Sequence, residues 1–141
     1  MLRRFASAAT VASILVACAA TIIGLLPADV REQVIPVLLA WVCLPAIWGA
    51  WATLTPATWT PDRLPVWGSL LGVLAGVGAL FLVDAPKRLL GFDASVVERI
   101  AGVFAFAAFY FLLWMLVRRV LLSLTAAEEL PAGRGADNAF R

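Results

Sequence analysis

Four long apolar runs, separated by short polar breaks, dominate the chain. They cover Phe5–Leu26, Val30–Leu54, Val66–Val83 and Val96–Leu122, with charged side chains only near their ends. A helix needs about 20 mainly apolar residues to cross the hydrocarbon core of a bilayer. Strands doing the same work would alternate apolar and polar side chains, and these runs do not alternate. The pattern predicts an all-α membrane protein with four transmembrane helices arranged as two hairpins. Pro27–Asp29, Thr55–Pro65 and Asp84–Ser95, rich in Pro, Thr or charge, are the expected loops. Residues 1–124 thus form one four-helix transmembrane domain. From Thr125 the chain turns polar, with Glu128-Glu129 and then Pro131 to Asn138, so 125–141 is expected to be a flexible cytoplasmic tail.

The direction of insertion follows from the bias of Lys and Arg between the two sides of the membrane. With the N-terminus in the cytoplasm, that side holds Arg3, Arg4, Arg63, Arg118, Arg119, Arg134 and Arg141. The opposite side holds Arg31, Lys87, Arg88 and Arg99, so seven basic residues face four. Both termini are therefore expected in the cytoplasm of a bacterial inner membrane. Trp51, Trp59 and Trp67 lie around the second loop, where amphipathic rings anchor a protein at headgroup level. Arg118 and Arg119 are expected to anchor the end of the fourth span.

Composition supports the membrane assignment and narrows the chemistry. Apolar residues make up 63% of the chain and charged residues 14%, against roughly 45–50% and about 25% in soluble domains. A net charge of +2 and the lack of a basic run give no nucleic-acid surface. The chain has no histidine, which removes the usual general base and the commonest zinc and haem ligand. Cys18 and Cys43 both fall inside apolar runs and are expected to be buried as small apolar side chains. Arg3-Arg4 followed by Leu15-Val16-Ala17-Cys18 imitates a lipoprotein signal. The apolar run continues through Ile22, Ile23, Leu25 and Leu26, however, as a span does and a cleaved signal does not.

Within the runs, Gly68, Gly72 and Gly76 recur every four residues and line one face of the third helix, where another backbone can approach closely. Ala8, Ala12, Ala20 and Gly24 form a comparable face on the first helix, interrupted by Val16. Pro36 and Pro45 should bend the second helix. The fourth carries Phe104, Phe106, Phe109, Tyr110, Phe111 and Trp114 around most of its circumference, and the Tyr110 hydroxyl needs an acceptor near mid-depth. Asp29-Val-Arg-Glu32 and Ser95-Val-Val-Glu98 both have the capping-box pattern, which suggests a repeated hairpin.

No charged residue lies in the middle of a span, where a proton or ion path would need one. Asp84 comes nearest, at the end of the third helix with Lys87 and Arg88 one turn on, and is the one candidate polar site. Phosphate loops, HExxH and GxSxG are all missing. The expectation is a non-catalytic protein with no cofactor and no metal. Its partners are the lipid bilayer and other membrane subunits or further copies of itself.

The stretch from Arg3 to about Trp59 resembles a family of small proteobacterial inner-membrane proteins associated with iron uptake. The resemblance rests on the basic start, the small-residue first span and Pro27 after Leu25-Leu26. It also includes Leu38-Leu39-Ala40-Trp41 and the sequence Ile47-Trp48-Gly49-Ala50-Trp51-Ala52. It covers the first hairpin alone and implies an auxiliary role in metal or siderophore handling, without site residues. From the residues themselves, the expected function is an accessory or stabilising subunit of a larger complex. The rival expectation is a small transporter or channel acting as a homo-oligomer.

Overall fold

Helix follows helix through the chain, in a computed structural model that describes residues 1–129. The elements are α1 (Leu2–Gly24), α2 (Ala28–Trp41), α3 (Leu44–Thr53), α4 (Leu64–Val77) and α5 (Val96–Glu129). A single 3-10 turn at Pro61–Arg63 precedes α4, and π-helical turns occupy Gly78–Leu82 and Pro86–Leu90. No strand occurs among the described residues. Three helical stretches are long and apolar enough to cross a membrane: Leu2–Gly24, Pro61–Leu82 and Val96–Ala126. The outer surface agrees with a lipid surround, since Leu82 is 81% exposed and Phe104 70% exposed on the chain alone.

The second apolar run departs from the expected continuous helix. It divides at Val42–Cys43 into α2 and α3, and neither piece reaches the length of a span. Pro45 explains where the break falls. It has no N–H to give the preceding turn, and its ring crowds the carbonyl one turn back, so the helix restarts with Pro45 in the first turn of α3. The Val42 N–H tightens onto the Leu39 carbonyl at 3.3 Å, and Ile47 begins the new ladder on Cys43 at 3.0 Å. Pro36, expected to bend the same run, lies inside α2.

The two capping boxes also part company. At α5 the Ser95 N–H donates to Glu98 Oε2 at 2.7 Å and the Glu98 N–H donates to Ser95 Oγ at 3.3 Å, the reciprocal pattern of a capping box. At α2 the cap is Pro27, with φ −53° and ψ 150° and no side-chain hydrogen bond, so Asp29 already stands inside the helix. The hairpins therefore do not share a start signal. The tail boundary shifts as well: α5 runs on through Thr125 to Glu129, and 130–141 lie outside the described residues.

Two pairings build the bundle, α1 on α3 and α4 on α5, with α1 also touching α5. The core collects Ala8, Val11, Ala12, Trp48, Ala52, Leu64, Tyr110, Trp114, Val117 and Leu121. These come from the first half of α1, one face of α3, the start of α4 and α5 from Tyr110 to Leu121. Packing is consequently concentrated at one end of the molecule. The second half of α1 is largely uncovered, with Ile14 and Ile22 more than half exposed. Cys18 and Cys43 are free and exposed rather than buried, Cys18 on this uncovered half of α1 and Cys43 at the break between α2 and α3.

Candidate functional site at the aromatic end of the bundle

Small residues decide how α4 meets α5. A Cβ added at Gly68 would fall 2.0 Å from Cγ of Trp114, and one at Gly72 would fall 2.7 Å from the Phe106 carbonyl oxygen. At Gly76 it would meet Phe106 and the Val103 backbone at 3.1 Å. The three glycines thus form the trough into which Trp114, Tyr110 and Phe106 fit. On α1, Ala8 and Ala12 are buried while Ala20 and Gly24 are exposed, so the small-residue face works only in its first half. That face packs toward α3, where Gly49 gives room to the Phe5 ring. The glycine face and the alanine face meet different helices and do not meet each other.

Between these two pairings sits an aromatic centre. Trp48 stands 5.3 Å from Tyr110 and 5.9 Å from Trp114, centroid to centroid, with tilted rings. Trp48 and Trp114 are fully buried, and their indole N–H groups have no hydrogen-bond partner among the described residues. Trp48 carried no packing role in the sequence pattern. Its signal was its register: it lies four residues before Ala52, and both are buried.

The tryptophans around the second loop form a cluster. Trp51 and Trp67 stack at 5.0 Å, and Trp59 meets Trp67 edge-on at 5.7 Å. All three are half-buried. The Arg63 guanidinium lies over the Trp59 ring at 5.7 Å. Arg4 reaches from α1 to donate to the carbonyls of Thr55 at 3.1 Å and Trp59 at 3.2 Å. Two of its N–H donors are thus met by neutral backbone oxygens. Arg118 pairs with Asp62, and Arg119 beside it is exposed. Arg4 and Asp62 were not among the expected site residues. Nothing in a lone Arg near an N-terminus or a lone Asp in a Pro-rich loop marks them out.

At the opposite end, Asp84 takes a different partner from the one its neighbours suggested. Its carboxylate lies 2.7 Å from a guanidinium nitrogen of Arg99, while Lys87 pairs with Asp93 at 3.0 Å. Asp84 has φ 54°, which turns the chain sharply after α4 and aims the carboxylate at the first turn of α5. Arg99 also donates to the carbonyls of Ala94 and Leu80. Leu80 lies in the π-helical turn, where bonding shifts from i→i+4 to i→i+5 and its carbonyl takes the Arg99 side chain. The hydrogen bond and charge of Asp93 hold the exposed Lys87 ammonium above its ordinary range.

Comparison with protein-family models, curated proteins and solved structures finds no match. What the site can do must come from its own geometry. Among the described residues no three Cys, Asp or Glu side chains converge on a metal-sized point. The arrangement offers ring surfaces, two buried N–H donors, a cationic rim and apolar outer faces. These groups suit recognition and packing.

Proposed function

We propose that the chain is a small non-catalytic integral membrane protein, an accessory or stabilising subunit of a larger bacterial inner-membrane complex. In this reading it crosses the bilayer four times as two hairpins, with α2 and α3 together making a discontinuous second crossing. Both termini lie in the cytoplasm, the side that would receive Arg3, Arg4, Arg63, Arg118 and Arg119.

One observation carries the subunit reading. A groove of about 460 Å³ runs along the outer face of α4 and α5, lined by Ser69, Phe104, Ala107, Ala108, Phe111 and Leu112. Ala107 and Ala108 make a low floor that lets a foreign backbone come close, and the two rings and Leu112 form walls. The Ser69 hydroxyl donates to the Val66 carbonyl of its own helix at 2.7 Å, so the groove presents almost nothing polar. A helix of another membrane chain fits such a surface better than a solute does.

The test is purification in mild detergent with a variant that fills the groove. A larger membrane protein should co-purify in stoichiometric amount with the native chain and be lost with Ala108→Trp, whose own thermal stability should be unchanged. Retention of the partner by that variant, or recovery of a bare native monomer, counts against the reading. The resemblance of the first hairpin makes complexes for metal or siderophore uptake the first to examine.

The break at Val42–Cys43 favours a second reading, a transporter or channel built as a homo-oligomer. Discontinuous helices commonly line solute sites in transporters because they free backbone groups at mid-membrane. A defined homo-oligomer that conducts a solute in liposomes would establish it and displace the subunit reading.

A further inference from the structure

We propose that one ordered water molecule sits at the aromatic centre of the bundle and joins α3 to α5 through Trp48, Trp114 and Tyr110. Backbone packing ties α1 to α3 and α4 to α5, whereas α3 and α5 approach each other mainly through these rings. The join is made of side chains, so their polar groups govern how it holds. Trp48 and Trp114 are 2% and 0% exposed, and neither indole N–H has a hydrogen-bond partner among the described residues. A buried N–H left unpaired is costly, and buried donors in folded proteins are met by protein or by ordered water. Two such donors, on rings 5.9 Å apart between centroids, call for one shared acceptor.

The surroundings select water over other acceptors. Apart from the three rings, the core cluster consists of Ala, Val and Leu. An anion there would lose its hydration with no cationic side chain in the cluster to offset the loss. A larger organic molecule meets tight packing, since even a methyl at Gly68 would lie 2.0 Å from the Trp114 ring. Water needs little space and a few polar partners. Its two lone pairs suit the two N–H groups. One of its hydrogens goes to the Tyr110 oxygen, which the Trp48 N–H faces without closing a direct hydrogen bond. The other goes to the electron-rich face of a ring. The ring planes are inclined by 53° and 40°, so those faces are not closed against each other as in a stack.

NMR of the full-length protein, with its tryptophans nitrogen-labelled and in deuterated detergent, tests this. In the native chain, two of the six indole N–H signals should be protected from deuterium exchange and yet show a direct NOE to water. Trp48→Phe and Trp114→Phe should each delete one of the two. Trp48→Phe should also cut the water contact at Trp114 by half or more, because the shared molecule loses a partner. Full retention there means separate environments and overturns the proposal. So does the lack of any protected signal in contact with water, or contact with ring protons alone, the mark of N–H···π bonding. An exchanging Tyr110 hydroxyl could imitate water, so Tyr110→Phe is measured as well. Both water contacts should survive it, held by the two N–H donors, and loss of both overturns the proposal. A shift of the two signals when chloride is replaced by nitrate would assign an anion and likewise overturn it. Unchanged dispersion of the other indole signals shows that a variant is folded. If one is not, the native spectrum still decides, by the presence or absence of its two protected, water-contacting signals.

Discussion

Trp51 and Trp67 exchange hydrogen bonds: each indole N–H donates to the other's backbone carbonyl, at 3.0 and 2.9 Å. With the rings stacked at 5.0 Å and 21° between planes, the pair fastens the last turn of α3 to the first turn of α4. Trp51→Phe and Trp67→Phe each keep a ring and delete one donor. Each should lower stability by about 0.5–1.5 kcal/mol. The double variant should lose less than the sum, because removing either bond loosens the geometry of the other. Thermal denaturation of the four proteins in detergent measures the coupling, and strict additivity would show two independent bonds.

The glycine trough should respond in graded fashion. Gly72→Ala sets a methyl against the Phe106 carbonyl and the Ala107 backbone, at 2.7 and 3.0 Å, and backbone yields less than side chain. A loss of about 1–3 kcal/mol is expected, with Gly76→Ala milder and Gly72→Leu worse. Gly24→Ala meets open space and should be neutral or slightly stabilising. Equal melting temperatures for Gly72→Ala and Gly24→Ala would show that α4 and α5 are not held together here.

Crossing number can be read from cysteine accessibility. With the exposed Cys18 and Cys43 changed to Ser, single cysteines at Ala28, Thr58 and Asp93 probe the three connections. Four crossings require Ala28→Cys and Asp93→Cys to react with a membrane-impermeant maleimide from outside the cell membrane, and Thr58→Cys to react only after lysis. If Ala28→Cys and Thr58→Cys label from the same side, α2 and α3 do not cross.

The Asp84–Arg99 pair closes the far end, and its two parts separate by mutation. Arg99→Met removes the ion pair and the bonds to Ala94 and Leu80, at a cost of about 1.5–3 kcal/mol for hydrogen bonds to a charged group. Asp84→Asn should cost less, since asparagine tolerates the left-handed backbone at φ 54°. Asp84→Val should cost more than Asn, since a β-branched residue does not. Chemical denaturation of the three variants orders them, and Val equal to Asn would remove the backbone contribution.

The all-helical class was legible because twenty-residue apolar runs have so few solutions in lipid. The glycine face of α4 was legible too, since spacing by four has one geometric meaning on a helix. Which helix it meets was not: the match between Gly68 and Trp114 depends on the stagger of α4 against α5. The break before Pro45 could be placed only approximately, since Pro36 carries the same signal and α2 runs through it. Asp84 was paired with its sequence neighbours, but the turn at φ 54° carries its carboxylate across to Arg99. Ion pairs of this kind depend on chain direction at one residue, which no pattern of apolar and polar positions records.

The clasp made by Arg4 has a consequence for biosynthesis. Its two acceptors lie 51 and 55 residues further along the chain. When α1 first leaves the ribosome, those carbonyls have not yet been made. The first helix must therefore wait in the insertion machinery or the bilayer with its cationic end unfastened, and only the emergence of the second loop can latch it.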